Sequence, residues 1–279
     1  MDSRVVDKLT ALAHAQRLAL FRLLMRRYPD AVPAGELAAA LGVAQNTLSN
    51  YLSSLRNAGL IAQSRAGRSL LYRIDMAEAA GLMGYLFSDC CRGRPELCPP
   101  IPRPMHRGSA AMNDRKYNVL FICTGNSARS IFGESLLRHE AGDRFNAYSA
   151  GTHPYSQLNP FAVEMLQGKG HDISPLRAKT IAEFQGEGAP VMDFVFTVCD
   201  AAANEDCPAW PGQPISAHWG LPDPVKATGT DAEKKLAFQQ AYAALRNRIL
   251  AFTALPIDSL SRSSLQKRVD EIAQDMETQ

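Results

Sequence analysis

A proline-rich segment divides this chain into two halves with different residue patterns. Residues 95–113 read PELCPPIPRPMHRGSAAMN, with five prolines and neither helical nor strand periodicity. Each proline fixes its own φ and disfavours helix at the preceding residue, so the segment is typical of an extended linker. Before it the apolar pattern is mostly helical, and after it short β-branched runs alternate with helices. We therefore predict two different domains, residues 1–98 and 116–279, joined by a linker over 99–115.

Length and charge agree with two domains that have different partners. The chain has 279 residues, and a domain usually has roughly 150. Residues 1–100 hold 12 Lys/Arg against 8 Asp/Glu, whereas the remainder holds 18 against 20. The start, MDSRVVDKLT, lacks an apolar signal core, and no stretch approaches the ~20 apolar residues of a membrane span. We expect a cytoplasmic protein with reduced cysteines and no membrane association.

The first half has the pattern of a winged helix-turn-helix domain. A helix ends near Tyr28, and a short helix in GELAAALGV is followed by a turn at Gly42. The next helix spaces its leucines at i, i+4 and i+7 and stops at Gly59. The segment LIAQSRAGRSLLYRI then alternates into two strands around a basic turn. This order is typical of a mainly α, winged DNA-binding fold, and the alternative is a small helical domain with a solvated polar face.

Polar and basic side chains of this half are the candidate DNA contacts, because they can bond base edges or phosphates. On the helix and in the basic turn they are Gln45, Asn46, Ser49, Asn50, Ser53, Arg65 and Arg68. The flanking apolar helices, MDSRVVDKLTALAH and DMAEAAGLMGYLFSDCC, are placed to form a dimer interface. We therefore expect a homodimer through this domain and a two-fold operator DNA as its partner.

Three cysteines cluster at the end of the first half. Cys90, Cys91 and Cys98 lie in SDCCRGRPELCPP. Three thiolates suit a soft, three-coordinate ion such as As(III) or Sb(III), whereas zinc normally takes four ligands. The alternative is that the three thiols are incidental. Residues 1–98 resemble the ArsR family of winged-helix repressors, and DCCRGRPELC is similar to the As(III) site of one of its branches. The resemblance implies a repressor that As(III) releases from DNA.

The second half begins with a strand, YNVLFI (117–122), followed at once by the loop CTGNSARS (123–130) and a helix. A loop at a helix N-terminus aims its amides at a tetrahedral oxyanion, and Arg129 can grip two of its oxygens. The expected oxyanion-binding residues are Thr124, Gly125, Asn126, Ser127, Ala128 and Arg129. We expect Gly125 to let the chain curl, the loop to lower the pKa of the nucleophile Cys123, and Ser130 to bond its thiolate. The alternative is a buried structural cysteine.

This loop resembles that of the low-molecular-weight tyrosine phosphatases and of their offshoot, the thioredoxin-coupled arsenate reductases. The resemblance implies an α/β domain with a parallel sheet and flanking helices. It also implies that Asp223, in LPDP, is the general acid. The phosphatases usually have aromatic residues after this Asp-Pro pair, but Val225 and Lys226 stand here.

Two further cysteines distinguish the two groups. Cys199 follows the strand FVFTV, and Cys207 lies in a segment that we expect to be a loop. With AHWGLPDP and the tail SLQKRVDEI, they are similar to the arsenate reductases over 117–272. The resemblance implies a relay of three cysteines, no tightly bound cofactor, and external thioredoxin or glutaredoxin with glutathione as reductant.

Smaller expectations concern an ion and the histidines. Ala128 stands where some relatives have a cysteine outside the relay. Glu134, Asn126 and Ser149 match positions that hold potassium in some relatives. We expect His153, His171 and His218 to be hydrogen-bonding surface or loop residues, because their spacing suits neither a ligand set nor catalysis.

The combined hypothesis is an As(III)-responsive transcriptional repressor fused to an arsenate reductase. Two alternatives stay open at this point. In one, the second half is a low-molecular-weight protein tyrosine phosphatase. In the other, the protein is a repressor alone and its second half is inert.

Overall fold

The computed structural model describes residues 2–86, 90, 115–205 and 210–275. The chain forms two compact units, the bulk of which lies in residues 1–103 and 104–279. We call them the front domain and the back domain. Most of the predicted linker lies outside the described residues, as do Cys91, Cys98 and Cys207. Arg115, expected to end the linker, already belongs to the back domain, because its Nη2 contacts Asp193 Oδ2 at 2.9 Å.

The front domain is mainly helical, as predicted. Its helices are α1 (Asp2–Leu12), α2 (Ala15–Arg27), α3 (Ala34–Leu41), α4 (Gln45–Asn57) and α5 (Met76–Tyr85). Gly42 ends α3 in the left-handed region, with φ +64°, which glycine adopts without strain. In α4 the spaced leucines Leu48, Leu52 and Leu55 are all buried against the domain core. The opposite face of α4 is left to solvent, which is the arrangement expected of a reading helix.

A small antiparallel sheet forms the wing. Strands β2 (Ile61–Ala66) and β3 (Ser69–Ile74) pair from Ile61–Ile74 to Ala66–Ser69, and Gly67 turns between them at φ +58°. Arg68 lies in this turn, but Arg65 lies within β2, opposite Leu70. The sequence also missed strand β1 (Val32–Pro33), which pairs with β3, because two residues carry no periodicity.

The back domain is an α/β domain with a parallel four-stranded sheet, which confirms the predicted fold class. Its strands are β4 (Tyr117–Cys123), β5 (Phe145–Gly151), β6 (Phe194–Thr197) and β7 (Ile215–His218), in the order β5-β4-β6-β7. Its helices are α6 (Arg129–Ala141), α7 (Pro160–Gly168), α8 (Asp200–Asn204), α9 (Asp231–Thr253) and α10 (Arg262–Asp275). Since β4 and β6 are adjacent and parallel, the segments that follow them meet at one sheet edge.

Aromatic rings fill the core of the back domain. Phe196 of β6 stacks on Trp219 with ring centroids 3.9 Å apart, and Phe252 of α9 meets Phe196 edge-on. Such pairs stabilise beyond their buried area by about 1 kcal/mol each. The core therefore fixes the strand ends that carry the candidate site. Within the described ranges, no helix is both long and apolar enough to cross a membrane.

Two local predictions were wrong. Residues 200–204, expected to be part of a loop, form the short helix α8. His218, expected on the surface or in a loop, is the buried last residue of β7 and bonds Thr197 at 2.8 Å. His171 is a hydrogen-bonding loop residue, as expected, but it is buried and bonds Tyr242 at 2.7 Å. His153 is exposed, as expected. Histidines with hydrogen-bonding partners at both ring nitrogens can be buried, and sequence spacing does not reveal such partners.

Candidate functional site

The nucleophile loop sits at the carboxyl edge of the sheet, between β4 and α6. Cys123 is the last residue of β4, and Arg129 is the first of α6. The amide of Asn126 donates to Cys123 Sγ at 3.1 Å, so the loop folds back over the thiol. Asn126 has φ +43°, a left-handed conformation that asparagine tolerates. Gly125 has no such conformation, so the curl that we assigned to Gly125 belongs to Asn126.

Gly125 has a different reason to be glycine. A Cβ there would lie 2.5 Å from a carbon of the Tyr155 ring, which packs against this loop residue. The Tyr155 amide also donates to Gly125 O at 2.9 Å. Because Tyr155 is 60% exposed, it forms a wall beside the loop rather than part of the core.

The Cys123 thiol is buried and hydrogen-bonded. Its Sγ lies 2.9 Å from Ser130 Oγ, the contact that the sequence predicted. Burial raises the pKa of Cys123, and the nearby Cys199 thiol raises it further. Hydrogen bonds from Ser130 and from the Asn126 amide act in the opposite direction. The predicted lowering of the pKa of Cys123 was therefore wrong, because desolvation outweighs the donors.

Arg129 and Asp223 form a pair beside the loop. Arg129 Nη2 lies 2.9 Å from Asp223 Oδ2, and its Nη1 donates to Leu221 O at 2.8 Å. Asp223 Oδ1 accepts the amide of Val225 at 3.2 Å, which orients the carboxyl group. The structure thus brings the expected oxyanion-binding arginine and the expected general acid together.

Cys199 reaches the same sheet edge from β6. Ile122 of β4 pairs with Thr197 of β6, so Cys199 emerges next to the loop. Its Sγ lies 3.5 Å from Thr124 Oγ1 and accepts the Ala202 amide at 3.5 Å. Both Cys123 and Cys199 are buried, unoxidised thiols. Cys207 lies outside the described residues.

In the front domain the expected DNA contacts are all exposed, on α4 and on the wing. They are Gln45, Asn46, Ser49, Asn50, Ser53, Arg65 and Arg68. Cys90, the only residue of the predicted arsenic site within the described part of the chain, is an exposed thiol. The candidate interface therefore consists of solvated side chains on two neighbouring elements.

Each half of the chain is similar to known proteins. Residues 118–268, more than half of the chain, match the family described as low molecular weight phosphotyrosine protein phosphatase. The chain belongs to this phosphatase family. Residues 12–64 match a helix-turn-helix domain, so the protein joins such a domain to a phosphatase-family domain.

Two curated relatives of the phosphatase-family domain are both named arsenate reductase. The protein from Halalkalibacterium halodurans is 39% identical over 134 residues, 48% of this chain and 93% of that protein. The protein from Bacillus licheniformis is 39% identical over 137 residues, 49% of this chain and 95% of that protein. A solved structure of an ArsR-like transcriptional regulator from Rhodococcus sp. RHA1 covers 34% of this chain and 87% of its own, at 22% identity and a TM-score of 0.30.

Gly151 and Lys179 also belong to the phosphatase-family site, although neither was predicted from the sequence. Gly151 pairs with Cys123 across β4 and β5, and a Cβ there would lie 2.6 Å from Thr124 O. A glycine ending the strand beside the nucleophile strand was the available signal. Lys179 is 7% exposed and its Nζ lies 2.7 Å from Glu134 Oε2. The sequence carries no comparable signal for Lys179, which is a single lysine in the segment PLRAKT.

The residues expected to hold potassium come together, but they do not fit the ion. Glu134 Oε2 accepts the Ser149 hydroxyl at 2.5 Å and already binds the Lys179 ammonium. Asn126 Oδ1 accepts the backbone amide of Lys179 at 2.7 Å, and its NH2 group faces Ser149 at 2.9 Å. Potassium needs available oxygen ligands, whereas here the oxygens are bonded and an ammonium group lies among them.

Proposed function

We propose that this protein reduces arsenate to arsenite in its back domain and, in its front domain, represses transcription until As(III) releases it from DNA. The observation that carries the enzymatic part is the second buried thiol, Cys199, at the edge of the nucleophile loop. A phosphatase has no use for this thiol, whereas reduction of arsenate requires two electrons. The arsenate reductase relatives support the same reaction.

The first step joins arsenic to Cys123. The amides of the loop and Arg129 hold the arsenate oxygens. The Cys123 thiolate attacks arsenic and forms a sulfur–arsenic bond, and Asp223 gives its proton to the departing oxygen, which leaves as water. Ser130 assists because its hydroxyl contacts the sulfur at 2.9 Å.

The next steps transfer the electrons. The Cys199 thiolate attacks the Cys123 sulfur, the sulfur–sulfur bond forms, and the sulfur–arsenic bond breaks with its electron pair on arsenic. Arsenite leaves, and two thiols have become one disulfide. Cys207 then attacks Cys199 and restores the Cys123 thiolate. Thioredoxin, or glutaredoxin with glutathione, reduces the Cys199–Cys207 disulfide, so the reaction belongs in the reducing cytoplasm.

The proposal for the front domain rests on the exposed face of α4 and the wing. Operator DNA would meet these polar side chains, and arsenite would bind Cys90, Cys91 and Cys98. Apolar side chains of α1 and α5 support a homodimer, since Val6 is 57% and Met83 is 44% exposed. Lys8 of α1 binds Glu78 of α5 at 2.5 Å, which holds the two helices together.

The enzymatic test measures arsenate-dependent NADPH consumption with thioredoxin and thioredoxin reductase, beside glutaredoxin with glutathione. We expect steady turnover with one system. The variant Cys207→Ser should release about one arsenite per chain and then stop, because the Cys123–Cys199 disulfide can still form. Steady turnover in Cys207→Ser would refute the relay. Hydrolysis of p-nitrophenyl phosphate without arsenate turnover would instead favour a phosphatase, and neither activity would indicate an inert domain.

The regulatory test is a gel shift with the DNA upstream of the gene. We expect arsenite to release the wild-type protein from this DNA. Cys91→Ser should bind the DNA equally well but stay bound when arsenite is added. Cys207→Ser should be released like the wild type, because it leaves the three sensing thiols unchanged. Release of Cys91→Ser by the same arsenite concentration would refute the three-thiol site.

A further inference from the structure

A buried chain of polar residues connects Lys179 to the nucleophile. Its members, which we call the loop network, are Lys179, Glu134, Ser149, Asn126 and Ser130, and each is at most 7% exposed. Buried polar groups are costly unless they are hydrogen-bonded, and here the bonds run without a break. They end on the thiol of Cys123.

The donors in the loop network have a defined direction. The Lys179 amide donates to Asn126 Oδ1 at 2.7 Å, so the other end of that side chain must be its NH2 group. This group donates to Ser149 Oγ and to Ser130 Oγ, both at 2.9 Å. Ser149 passes its own hydrogen to Glu134. Ser130, already accepting from Asn126, therefore directs its hydrogen at Cys123 Sγ, where it stabilises a thiolate.

Glu134 needs a positive partner for this arrangement to hold. Two cations contact it: Lys179 Nζ at Oε2 and Arg138 Nη2 at Oε1, each at 2.7 Å. The side chain of Arg138 is 35% exposed, whereas that of Lys179 is 8% exposed. Solvent screens the exposed pair more strongly. Lys179 therefore supplies most of the positive charge that balances the Glu134 carboxylate.

We propose that Lys179 is a positioning residue that occupies the place of a bound cation. Its ammonium group neutralises Glu134, which keeps the Ser149 and Asn126 bonds in one direction and Ser130 aimed at the nucleophile. The reaction of this protein is consequently independent of potassium. The inference rests on the proposed arsenate reduction for its functional consequence. The effect of Lys179 on the Cys123 thiol, however, is the same whichever reaction that thiol performs.

The experiment compares wild type, Lys179→Met, Lys179→Ala and Lys179→Arg, with Arg138→Met as the matched control on the same carboxylate. The first readout is the rate of alkylation of Cys123 by iodoacetamide from neutral to alkaline pH, followed by mass spectrometry. The second is arsenate turnover in potassium chloride or tetramethylammonium chloride at equal ionic strength. Thermal unfolding checks that each variant is folded.

We expect wild type to behave alike in both salts. Lys179→Met should alkylate about tenfold more slowly at neutral pH, because its Ser130 donor is no longer held towards the thiol. Lys179→Arg and Arg138→Met should stay within about threefold of wild type. Lys179→Ala should recover several-fold in potassium chloride but not in tetramethylammonium chloride, since the small side chain leaves room for the ion.

Two outcomes would overturn the proposal. One is wild-type alkylation or turnover that rises several-fold in potassium chloride, a comparison that requires no variant to fold. The other is Lys179→Met with an unchanged alkylation profile. If the protein does not reduce arsenate at all, the proposed function fails, yet the alkylation measurements still decide the role of Lys179.

Discussion

The candidate interface of the front domain and the candidate site of the back domain are built in opposite ways. On α4 and the wing, the functional side chains are exposed, and the buried leucines behind them serve only to hold the helix. At the phosphatase-family loop, the thiol and its supporting residues are themselves buried; Cys123 is 4% and Asn126 is 0% exposed. The functional side chains therefore lie on the surface in the front domain and within the core in the back domain.

This difference predicts different responses to substitution. An exposed contact can be removed without disturbing its neighbours, so the loss is one contact with the partner. A buried donor is bonded on several sides, so its loss changes the geometry of the whole loop. Substitutions in the back domain should therefore affect activity more strongly than substitutions in the front domain affect DNA binding.

The largest expected effect comes from Gly151→Ala. The new Cβ would lie 2.6 Å from Thr124 O and 3.1 Å from the Asn126 amide nitrogen, both backbone atoms. The loop must shift away, and a misplacement of about 1 Å can cost roughly 100-fold in rate. We expect kcat/KM for arsenate to fall by about 100-fold. Gly168→Ala is the control, because a Cβ there would meet no atom of the described chain within 4 Å beyond its own stretch of helix; it should retain normal activity. Near-normal kcat/KM in Gly151→Ala would show that the loop tolerates displacement.

The second prediction concerns Ser130→Ala, which removes the hydroxyl 2.9 Å from Cys123 Sγ. A hydrogen bond to a charged group contributes about 1.5–3 kcal/mol, so the pKa of Cys123, already raised by burial, should rise further. Alkylation of Cys123 increases with pH as the thiolate forms, and in Ser130→Ala this increase should occur at higher pH. At neutral pH we expect a rate about 10- to 100-fold lower.

The control for Ser130→Ala is Ser135→Ala. Ser135 is equally part of α6 and 3% exposed, but its hydroxyl bonds His171 at 3.0 Å instead of the nucleophile. Its variant should alkylate at Cys123 with the wild-type pH profile. If both variants shift the profile alike, the effect comes from the packing of α6 and the Ser130 donor is not its cause.

The same contrast explains what the sequence could predict. In the front domain, helical spacing identified the buried leucines of α4, and the exposed polar face followed from them. The wing was predicted from alternation and from Gly67, but a two-residue strand such as β1 has no pattern to detect. Here local patterns and tertiary structure agree, so the prediction succeeded except at the strand ends, where Arg65 was placed in the turn.

In the back domain, the loop was identified by its strand–loop–helix context, and Arg129 and Asp223 do come together. Their environment was not predictable from the same evidence. The raised pKa of Cys123 results from its burial and from the nearby Cys199, which is distant in sequence. Lys179 reaches Glu134 across 45 positions in the chain, and no local pattern reports such a pair. Spacing therefore indicates which groups react, but packing determines their protonation and orientation.

The third prediction tests the exposed DNA-binding candidates of the front domain. Arg68→Ala removes an exposed cation from the wing turn, and we expect operator affinity to fall by about tenfold at low salt. The slope of log affinity against log salt should decrease by about 0.9, since one phosphate contact is lost.

Arg73→Ala is the control, because Arg73 is exposed on β3 away from the turn. Equal losses in both variants would indicate a general charge effect instead of a wing contact. Arsenate turnover should be unchanged in either.

The smallest expected effect concerns stability. Burial raises the pKa of Asp270 in α10 to about 6, and Gln266 Nε2 donates to its Oδ1 at 2.9 Å. Because the folded protein holds this proton more tightly than the unfolded chain, the stabilisation is complete below about pH 4 and is lost as pH rises through 6. Asp270→Asn keeps the acceptor without the charge, so it should stabilise the back domain at pH 7 by about 1 kcal/mol, a value reduced for partial exposure.

The gain from Asp270→Asn should disappear near pH 4, where the carboxyl group of the wild type is protonated. This gain in stability is measured by thermal unfolding of the back domain from pH 4 to 8, followed by the fluorescence of the core around Trp219. Glu187→Gln, at an exposed position, is the control. A gain that is independent of pH would mean that the charge of Asp270 is not responsible. A gain that also appears in the unfolding of the front domain would mean that the two domains unfold together, and the contrast between them would then concern function alone.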